Sequence, residues 1–179
     1  MGKKTLKPKI DLPKLRKVKI RLVGLGGGGT SIVSEMSQNL SGASFLVADT
    51  DSRVFKRIKN KRAIRVLQFG GKIAGGMGTG MNPEIAEKSA EVDKEKIERI
   101  FQGQDLTILI GSLGGGVASG AGPVFARLAG KQNNITIGIF TLPFNFEGEK
   151  KMKLARKALD KLKENLSAVI VVPLSLIHI

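Results

Sequence analysis

Glycine-rich stretches are the part of this chain best suited to chemistry, and residues 111–122, GSLGGGVASGAG, are the first of them to consider. The apolar run before them, residues 106–110, has the composition of a buried parallel strand. The segment after them, residues 123–131, has the Ala, Val and Leu spacing of a helix. A strand, a glycine loop and a helix in this order expose backbone N–H groups at a helix N-terminus, where anions bind. Because glycine has no Cβ to keep a phosphate away, this stretch favours an anion site over an ordinary turn.

A second glycine run, GLGGGG at residues 24–29, follows a strand-like segment at residues 17–23. Its glycines fit the pattern G-x-G-x-x-G, and Asp49 follows about 20 residues later, where dinucleotide-binding folds keep a ribose-binding carboxylate. This spacing makes a Rossmann-type NAD-binding protein an alternative. Against it, the chain has three glycine-rich loops where that motif needs one, and no histidine or tyrosine suited to proton transfer.

Several kinds of site are excluded by what the chain lacks. It contains no cysteine, so disulfides, thiolate catalysis and cysteine–metal sites are unavailable. The single histidine, His178, cannot build a His-based triad or a multi-His metal site. The pattern G-x-x-x-x-G-K-[ST] is absent, which excludes a Walker-type P-loop. No metal-ligating residue is predicted.

The elements that must position the glycine loops alternate along the chain. Apolar runs predict strands at residues 17–23, 44–49, 63–67, 106–110, 135–142 and 168–172. Helices are predicted at residues 30–40, 50–58, from Pro83 onward, 93–101 with Asp93 as its cap, 123–131 and 149–166. This order is typical of an α/β domain with a parallel sheet and helices on both faces.

Ligands of such sheets bind at the carboxyl ends of the strands. Four unusual loops follow predicted strands there: GLGGGG, ADTD, GGKIAGGMGTG and GSLGGGVASGAG. We expect them to converge on one rim, and a polyanionic ligand on that rim accounts for them most simply.

Length and hydropathy place the chain among compact domains. Its 179 residues are enough for one domain with a core, and its mean hydropathy is +0.01. No apolar run reaches the roughly 18 residues of a membrane span. The N-terminal lysines precede no apolar core or cleavage site, so a signal peptide is not predicted and the cytoplasm is the expected location.

The net charge of +15 is concentrated in three basic clusters, within residues 3–21, 53–65 and 150–163. Such clusters can bind nucleic acid or anionic lipid. The chain has no Trp or Tyr to interleave with them. The absence of these aromatic residues favours the interpretation that the clusters are solvent-exposed surfaces without a bound partner, with residues 1–16 as a flexible basic arm.

The order of the motifs resembles the FtsZ/tubulin family of GTPases. Five stretches carry the resemblance, at residues 23–36, 45–51, 75–84, 111–123 and 141–148. It runs from about residue 17 to 173, and implies a Rossmann-like tubulin/FtsZ GTPase domain that binds GTP or GDP, with Mg2+ as a further candidate. It also implies a filament-forming, head-to-tail cytoskeletal GTPase of prokaryotic cell division, with a second copy and other division proteins as partners.

The resemblance assigns nucleotide-binding roles to particular residues. The first loop would hold the α- and β-phosphates, the fourth the β- and γ-phosphates, and Glu147 the ribose hydroxyls. The full set is Gly26, Gly27, Gly28, Gly29, Thr30, Ser31, Asp49, Gly78, Gly80, Gly114, Gly115, Gly116, Val117, Ala118, Ser119, Gly120, Pro143, Glu147 and Lys151.

Some of these positions depart from the family pattern. Val117 and Ala118 stand where the family has threonine and glycine, which removes a hydroxyl and adds a methyl group. Asp49 replaces an asparagine and brings negative charge toward the phosphates. Lys151 replaces an arginine and loses its bidentate geometry. We therefore expect weaker or slower nucleotide handling than is usual in the family.

The C-terminal end also departs from the family. Leu174 stands where the family has a base-reading asparagine, and residues 174–179 look foreign to it, so a truncated domain is expected. The acidic residues that complete hydrolysis in the family come from a neighbouring subunit, so no catalytic residue is predicted here. Besides GTP binding and NAD binding, a third hypothesis is a non-hydrolysing protein that binds a partner through its basic surfaces.

Overall fold

A six-stranded parallel sheet forms the centre of the computed structural model, which describes residues 16–176. The strands are β1 Ile20–Leu25, β2 Ala43–Asp49, β3 Ile64–Gln68, β4 Leu106–Ser112, β5 Ile135–Leu142 and β6 Ala168–Pro173. Their order across the sheet is β3-β2-β1-β4-β5-β6. The direction of winding therefore reverses beside β1, and such a switch point opens a crevice at the carboxyl ends of the strands.

Six helices cross between the strands. They are α1 Gly26–Asn39, α2 Gly71–Ala74, α3 Pro83–Val92, α4 Lys94–Glu98, α5 Gly116–Gly130 and α6 Glu149–Lys163. Short 3-10 helices occupy Ser52–Arg57, Asn145–Glu147 and Leu174–Leu176. No helix within residues 16–176 is long and apolar enough to cross a membrane.

The two faces of the sheet carry separate hydrophobic clusters. On one face α1 packs through Val33 against strand residues such as Leu22 and Val47. On the other face α3, α4, α5 and α6 pack around Phe125, whose ring centroid lies 5.4 Å from that of Phe69. The predicted α/β fold, a parallel sheet with helices on both faces, is confirmed.

The glycine runs are less loop-like than predicted. β1 ends at Leu25 and α1 begins at Gly26, so the predicted loop at residues 24–29 is strand and helix. Within residues 111–122 the loop is confined to 113–115, because β4 extends to Ser112 and α5 begins at Gly116. Close packing explains this: a Cβ on Gly29 would lie 2.4 Å from the Ile110 carbonyl oxygen on β4.

Other local predictions also need correction. The helix predicted at residues 50–58 is the 3-10 helix Ser52–Arg57, whereas the predicted loop GGKIAGGMGTG, residues 70–80, contains α2. The helix predicted at 93–101 is only five residues long. The Asp93 side chain does not cap it, because Oδ2 instead accepts a 2.7 Å hydrogen bond from the Gly70 N–H.

The start of α5 is fixed by its contact with α3. A Cβ on Gly120 would lie 2.0 Å from the Pro83 carbonyl oxygen, so only glycine allows the two helices to approach this closely. Asn82 caps α3 by accepting a 2.9 Å hydrogen bond from the Glu84 N–H. This packing places the first turn of α5 at the carboxyl edge of the sheet.

Candidate nucleotide-binding site

A cavity of about 530 Å³ opens at the carboxyl ends of β1, β2, β4 and β5. Leu25, Asp49, Ser112 and Thr141, from the ends of these four strands, contribute to its wall. Its size is within the range of small-molecule sites. It lies where the winding of the sheet reverses, which is the expected position for a ligand of an open parallel sheet.

The structure brings all of the predicted loops to this cavity. Most of the predicted site residues line it: Gly26, Gly27, Gly28, Asp49, Gly78, Gly80, Gly114, Gly115, Gly116, Val117, Ala118, Pro143, Glu147 and Lys151. They come from five separate segments of the chain and form a single wall. Their contacts with a ligand stay a prediction.

The remaining five predicted residues do not line the cavity. Ser119 Oγ accepts a 2.9 Å hydrogen bond from the Gly114 N–H and so fixes the loop between β4 and α5. Ser31 Oγ donates to the Gly27 carbonyl oxygen within α1. Gly29 and Gly120 allow the close packing described above. Thr30 is buried, and its Oγ1 has no hydrogen-bond partner within residues 16–176.

Two helix N-termini, those of α1 and α5, face the cavity without side-chain caps. The residues before them, Leu25 and Gly115, make no side-chain cap hydrogen bond, and neither first turn contains an acidic residue. By contrast α3, whose first turn does not line the cavity, has an Asn cap and Glu84 in its first turn. The free N–H groups and the helix dipole make the ends of α1 and α5 suited to an anion.

Asp49 places a carboxyl group in the same wall. It is 3% exposed, and Oδ1 accepts a 2.9 Å hydrogen bond from the Asp51 N–H. Burial raises the pKa of Asp49 above its usual value, and the charge of Asp51 adds to this, while backbone hydrogen bonds oppose it. A phosphate beside Asp49 would favour the protonated carboxyl further.

Asp51, unlike Asp49, forms an ion pair. Its carboxylate forms an ion pair with Arg53, at 2.8 Å from Oδ2 to Nη2, and this hydrogen bonding lowers the pKa of Asp51. Arg53 also donates to the Met77 carbonyl oxygen. An isolated antiparallel bridge joins Asp51 to Met77, so the second and third loops are held together at the rim.

Glu147 and Lys151 form the opposite side of the cavity. Glu147 Oε1 accepts a 2.9 Å hydrogen bond from the Phe144 N–H, and Oε2 lies 2.9 Å from Lys151 Nζ. The bond from Lys151, with that from Phe144, lowers the pKa of Glu147. Glu147 is therefore ionised at neutral pH, and each of its carboxylate oxygens keeps a further lone pair for a hydroxyl group.

The cavity also contains residues that the sequence prediction missed. They are Leu25, Asp51, Arg53, Val54, Met77, Thr79, Met81, Ser112, Leu113, Thr141 and Leu174. Ser112 and Thr141 are register partners at the ends of β4 and β5, and a hydroxyl residue at a strand end was the available signal. Thr141 Oγ1 is buried with no hydrogen-bond partner within the described chain, so a ligand could satisfy it.

These groups are suited to binding an anionic ligand. Within residues 16–176 no cluster of three acidic, histidine or cysteine side chains could hold a metal ion. The cavity offers backbone N–H donors, two hydroxyl groups at strand ends and two ion pairs. His178 lies outside the described residues, as does most of the basic arm predicted at residues 1–16.

Comparison with known proteins identifies the fold family. A profile described as the tubulin/FtsZ family, GTPase domain, matches residues 19–177. The chain belongs to the tubulin/FtsZ family. This assignment agrees with the five motifs and favours the tubulin/FtsZ hypothesis over a Rossmann-type NAD-binding protein.

Relatives within the family include cell division proteins FtsZ. The chain is 36% identical to that of Pseudomonas aeruginosa, over 86% of this chain and 39% of the relative. It is 38% identical to that of Aquifex aeolicus, over 86% of this chain and 41% of the relative. The chain therefore spans about two fifths of the length of these curated relatives.

Solved structures support the same assignment. An empty FtsZ dimer from M. jannaschii matches with a TM-score of 0.83 and 33% identity, covering 88% of this chain and 46% of that one. CetZ1 from Haloferax volcanii, a GDP-bound monomer, matches with a TM-score of 0.78 and 19% identity, covering 87% of this chain and 51% of that one. The second likeness concerns the fold alone.

Proposed function

We propose that residues 17–173 form the guanine nucleotide-binding domain of an FtsZ-like GTPase. The observation that carries the proposal is the pair of uncapped helix N-termini, of α1 and α5, at one cavity of a tubulin/FtsZ-family domain. Their free N–H groups are matched by the phosphates of GTP or GDP.

Each part of the cavity then has a role in binding. The first turn of α1, Gly26–Gly28, would donate N–H groups to the α- and β-phosphates. The loop at residues 114–116 and the first turn of α5 would do so for the β- and γ-phosphates. Glu147 would accept hydrogen bonds from the ribose hydroxyls, and Lys151 would pair with a phosphate.

Mg2+ would accompany the nucleotide rather than occupy a site built by the protein. Asp49 and Asp51 both line the cavity, but Asp51 is already held by Arg53. Mg2+ is commonly held by substrate phosphates and water with one or two carboxylates. Its ligands here would be mainly phosphate oxygens and water.

Hydrolysis and assembly are proposed for a longer protein of this family, in the cytoplasm. In that protein the cavity would meet a second copy head to tail, and the neighbour would supply the acidic residues for hydrolysis. Met77 and Met81, which are 76% and 65% exposed at the rim, are suited to such a contact. Other cell-division proteins are further candidate partners.

Thermal unfolding with added nucleotides tests the proposal. A ligand at 100 times its dissociation constant stabilises the folded state by about 2.7 kcal/mol. For a domain of this size that raises the Tm by about 5–10 °C. We expect GTP and GDP to raise it and NAD to leave it unchanged. A rise with NAD, and none with GTP, would contradict the proposal.

A further inference from the structure

A second charged surface lies at the opposite end of the sheet from the cavity. The amino ends of β1 and β3, and the segments that lead into them, carry Lys17, Lys19, Arg21, Lys61, Arg62 and Arg65, which we call the basic face. All but Arg21 are classed as exposed. β1 is six residues long, so about 20 Å separates this face from the cavity.

The basic face is poor in carboxylates. The sequence contains no Asp or Glu at residues 12–34 or at residues 52–83. Within the described chain, Lys17, Arg21, Lys61, Arg62 and Arg65 form no ion pair. Asp105, the carboxylate at the amino end of the neighbouring β4, pairs with Arg16. The face therefore keeps an uncompensated positive charge, unlike an ordinary surface of mixed charges.

Two positive charges of the basic face, those of Arg21 and Arg65, lie close enough to repel each other. Arg21 donates from Nε to Ser44 Oγ at 3.1 Å and from Nη1 to the Ile100 carbonyl oxygen. Burial and then the charge of Arg65 lower the pKa of Arg21. The fold thus holds one guanidinium group near another without a carboxylate between them. A bound anion would relieve this repulsion.

Two exposed aliphatic side chains accompany the cations. Val18, between Lys17 and Lys19, is 56% exposed, and Leu40, before the amino end of β2, is 47% exposed. Because β2 lies between β1 and β3, both aliphatic groups are at the same end of the sheet as the cations. Aliphatic and cationic groups on one surface match the boundary between lipid headgroups and acyl chains. The chain has no Trp or Tyr, and the exposed Phe146 lies at the cavity end, so the face has no aromatic platform for nucleobases.

We propose that the basic face binds the surface of a membrane containing anionic phospholipid. The cations attract the headgroup phosphates, and Val18 and Leu40 enter the interface between them. The face lies on the half of the sheet formed by β3, β2 and β1, away from β6. Bound in this way, the domain would keep its cavity directed away from the lipid, so this proposal does not depend on nucleotide binding. In a head-to-tail assembly the same end would face the next copy, so the proposal concerns the unassembled chain.

Vesicle flotation with the whole chain tests the proposal. The probes are phosphatidylcholine vesicles with and without phosphatidylglycerol. The variant K61Q/R62Q/R65Q removes three exposed cations from the basic face. The control K153Q/R156Q/K157Q removes three exposed cations from α6, so both variants have the same net charge. Circular dichroism and the Tm establish that each variant is folded.

We expect the native chain to bind only the vesicles with phosphatidylglycerol. Each cation near such a surface contributes about fivefold in affinity, so the basic-face variant should bind about a hundredfold more weakly. The α6 control should remain close to the native chain. Equal losses in both variants would mean that net charge alone is responsible, and would overturn the proposal, as would no binding at all.

A second pair of variants separates lipid from nucleic acid. Val18→Ser with Leu40→Ser keeps every charge but removes the two aliphatic groups. We expect roughly tenfold weaker binding to the anionic vesicles and unchanged binding to a short DNA duplex. If K61Q/R62Q/R65Q loses DNA binding while the serine variant binds vesicles as the native chain does, the face is a nucleic-acid surface and the proposal is wrong.

Discussion

Replacing Asp49 by asparagine should tighten nucleotide binding, because Asp49 is the one carboxylate of the cavity wall without a cation among the described residues. Three carboxylates and two cations line the cavity. Asp51 pairs with Arg53 and Glu147 pairs with Lys151, at 2.8 and 2.9 Å. With every group ionised, the net charge of these five side chains is −1, and the unpaired charge is that of Asp49. Asn keeps the shape of the residue and makes this net charge zero.

The size of the effect follows from the dimensions of the cavity. A sphere of about 530 Å³ has a radius of about 5 Å, which sets the separation between Asp49 and a bound phosphate. Two unit charges at this distance repel by about 0.8 kcal/mol in water and by about 3 kcal/mol at an effective dielectric constant of about 20. Asp49→Asn should therefore tighten binding between about fourfold and about a hundredfold per phosphate charge.

The pH dependence has a definite sign. The folded-state pKa of Asp49 is raised above the ordinary value of 3.8, and a bound anion raises it further. Nucleotide affinity of the native chain should therefore rise as the pH falls toward that pKa, while D49N should lack this dependence. The same raised pKa means that stability from Asp49 is lost as the pH rises from 3.8 through the folded-state pKa. D49N should accordingly be more stable at neutral pH.

Titration of a fluorescent GTP analogue at several pH values, with and without Mg2+, measures these effects. Asp160→Asn is the matched control, because Asp160 is exposed on α6 and its loss changes the net charge equally. Affinity of D49N equal to that of D160N would refute the electrostatic argument. Weaker binding of D49N in Mg2+ would also refute it, because the carboxylate would then be serving the cation.

Four further substitutions test the packing and the assigned roles. Gly120→Ala should destabilise the domain by about 1–3 kcal/mol in urea unfolding, because its Cβ would overlap the Pro83 carbonyl oxygen. Gly122→Ala in the same helix meets only ordinary contacts, and should be neutral or stabilising by up to about 1 kcal/mol; equal losses would contradict this. Val117→Thr should tighten GTP binding by about 0.5–1.5 kcal/mol in calorimetry if a hydroxyl there reaches a phosphate. Glu147→Gln should weaken GTP binding but not pyrophosphate binding, and equal weakening would argue against a ribose contact.

The strands of the sheet could be predicted from the sequence because they are buried on both faces. β5 was predicted with its true bounds, and the others to within a few residues, since a continuous apolar run between two helices is typical of a parallel strand. The glycine runs were harder. Glycine costs a helix about 1 kcal/mol per residue, so local propensity predicts loops at Gly26–Gly29 and 116–122. Packing of Gly29 on β4 and Gly120 on α3 outweighs that propensity.

The sequence indicated the cavity residues that lie in the glycine loops and in the family motifs, but it did not indicate every residue that the fold adds to the cavity wall. The glycine loops were expected at one rim because they follow predicted strands, and Glu147 and Lys151 were proposed from the family resemblance; all of them line the cavity, while their contacts with a ligand stay a prediction. Ser112 and Thr141 were missed although each is a hydroxyl residue near the end of a predicted strand; the pairing of β4 with β5 places them side by side in the cavity wall. Arg53 enters the wall through its ion pair with Asp51, which depends on the course of a 3-10 helix that no local pattern specified.

The central claim is that the N-termini of α1 and α5 hold the phosphates of a guanine nucleotide. Amide chemical shifts of the 19.1 kDa chain during titration with GTP test it most directly. The claim predicts large shifts for the N–H groups of Gly27, Gly28, Gly115 and Gly116 with GTP and with pyrophosphate, and none with guanosine. Shifts absent from both helix N-termini while GTP binds elsewhere, or no binding of GTP at all, would contradict it.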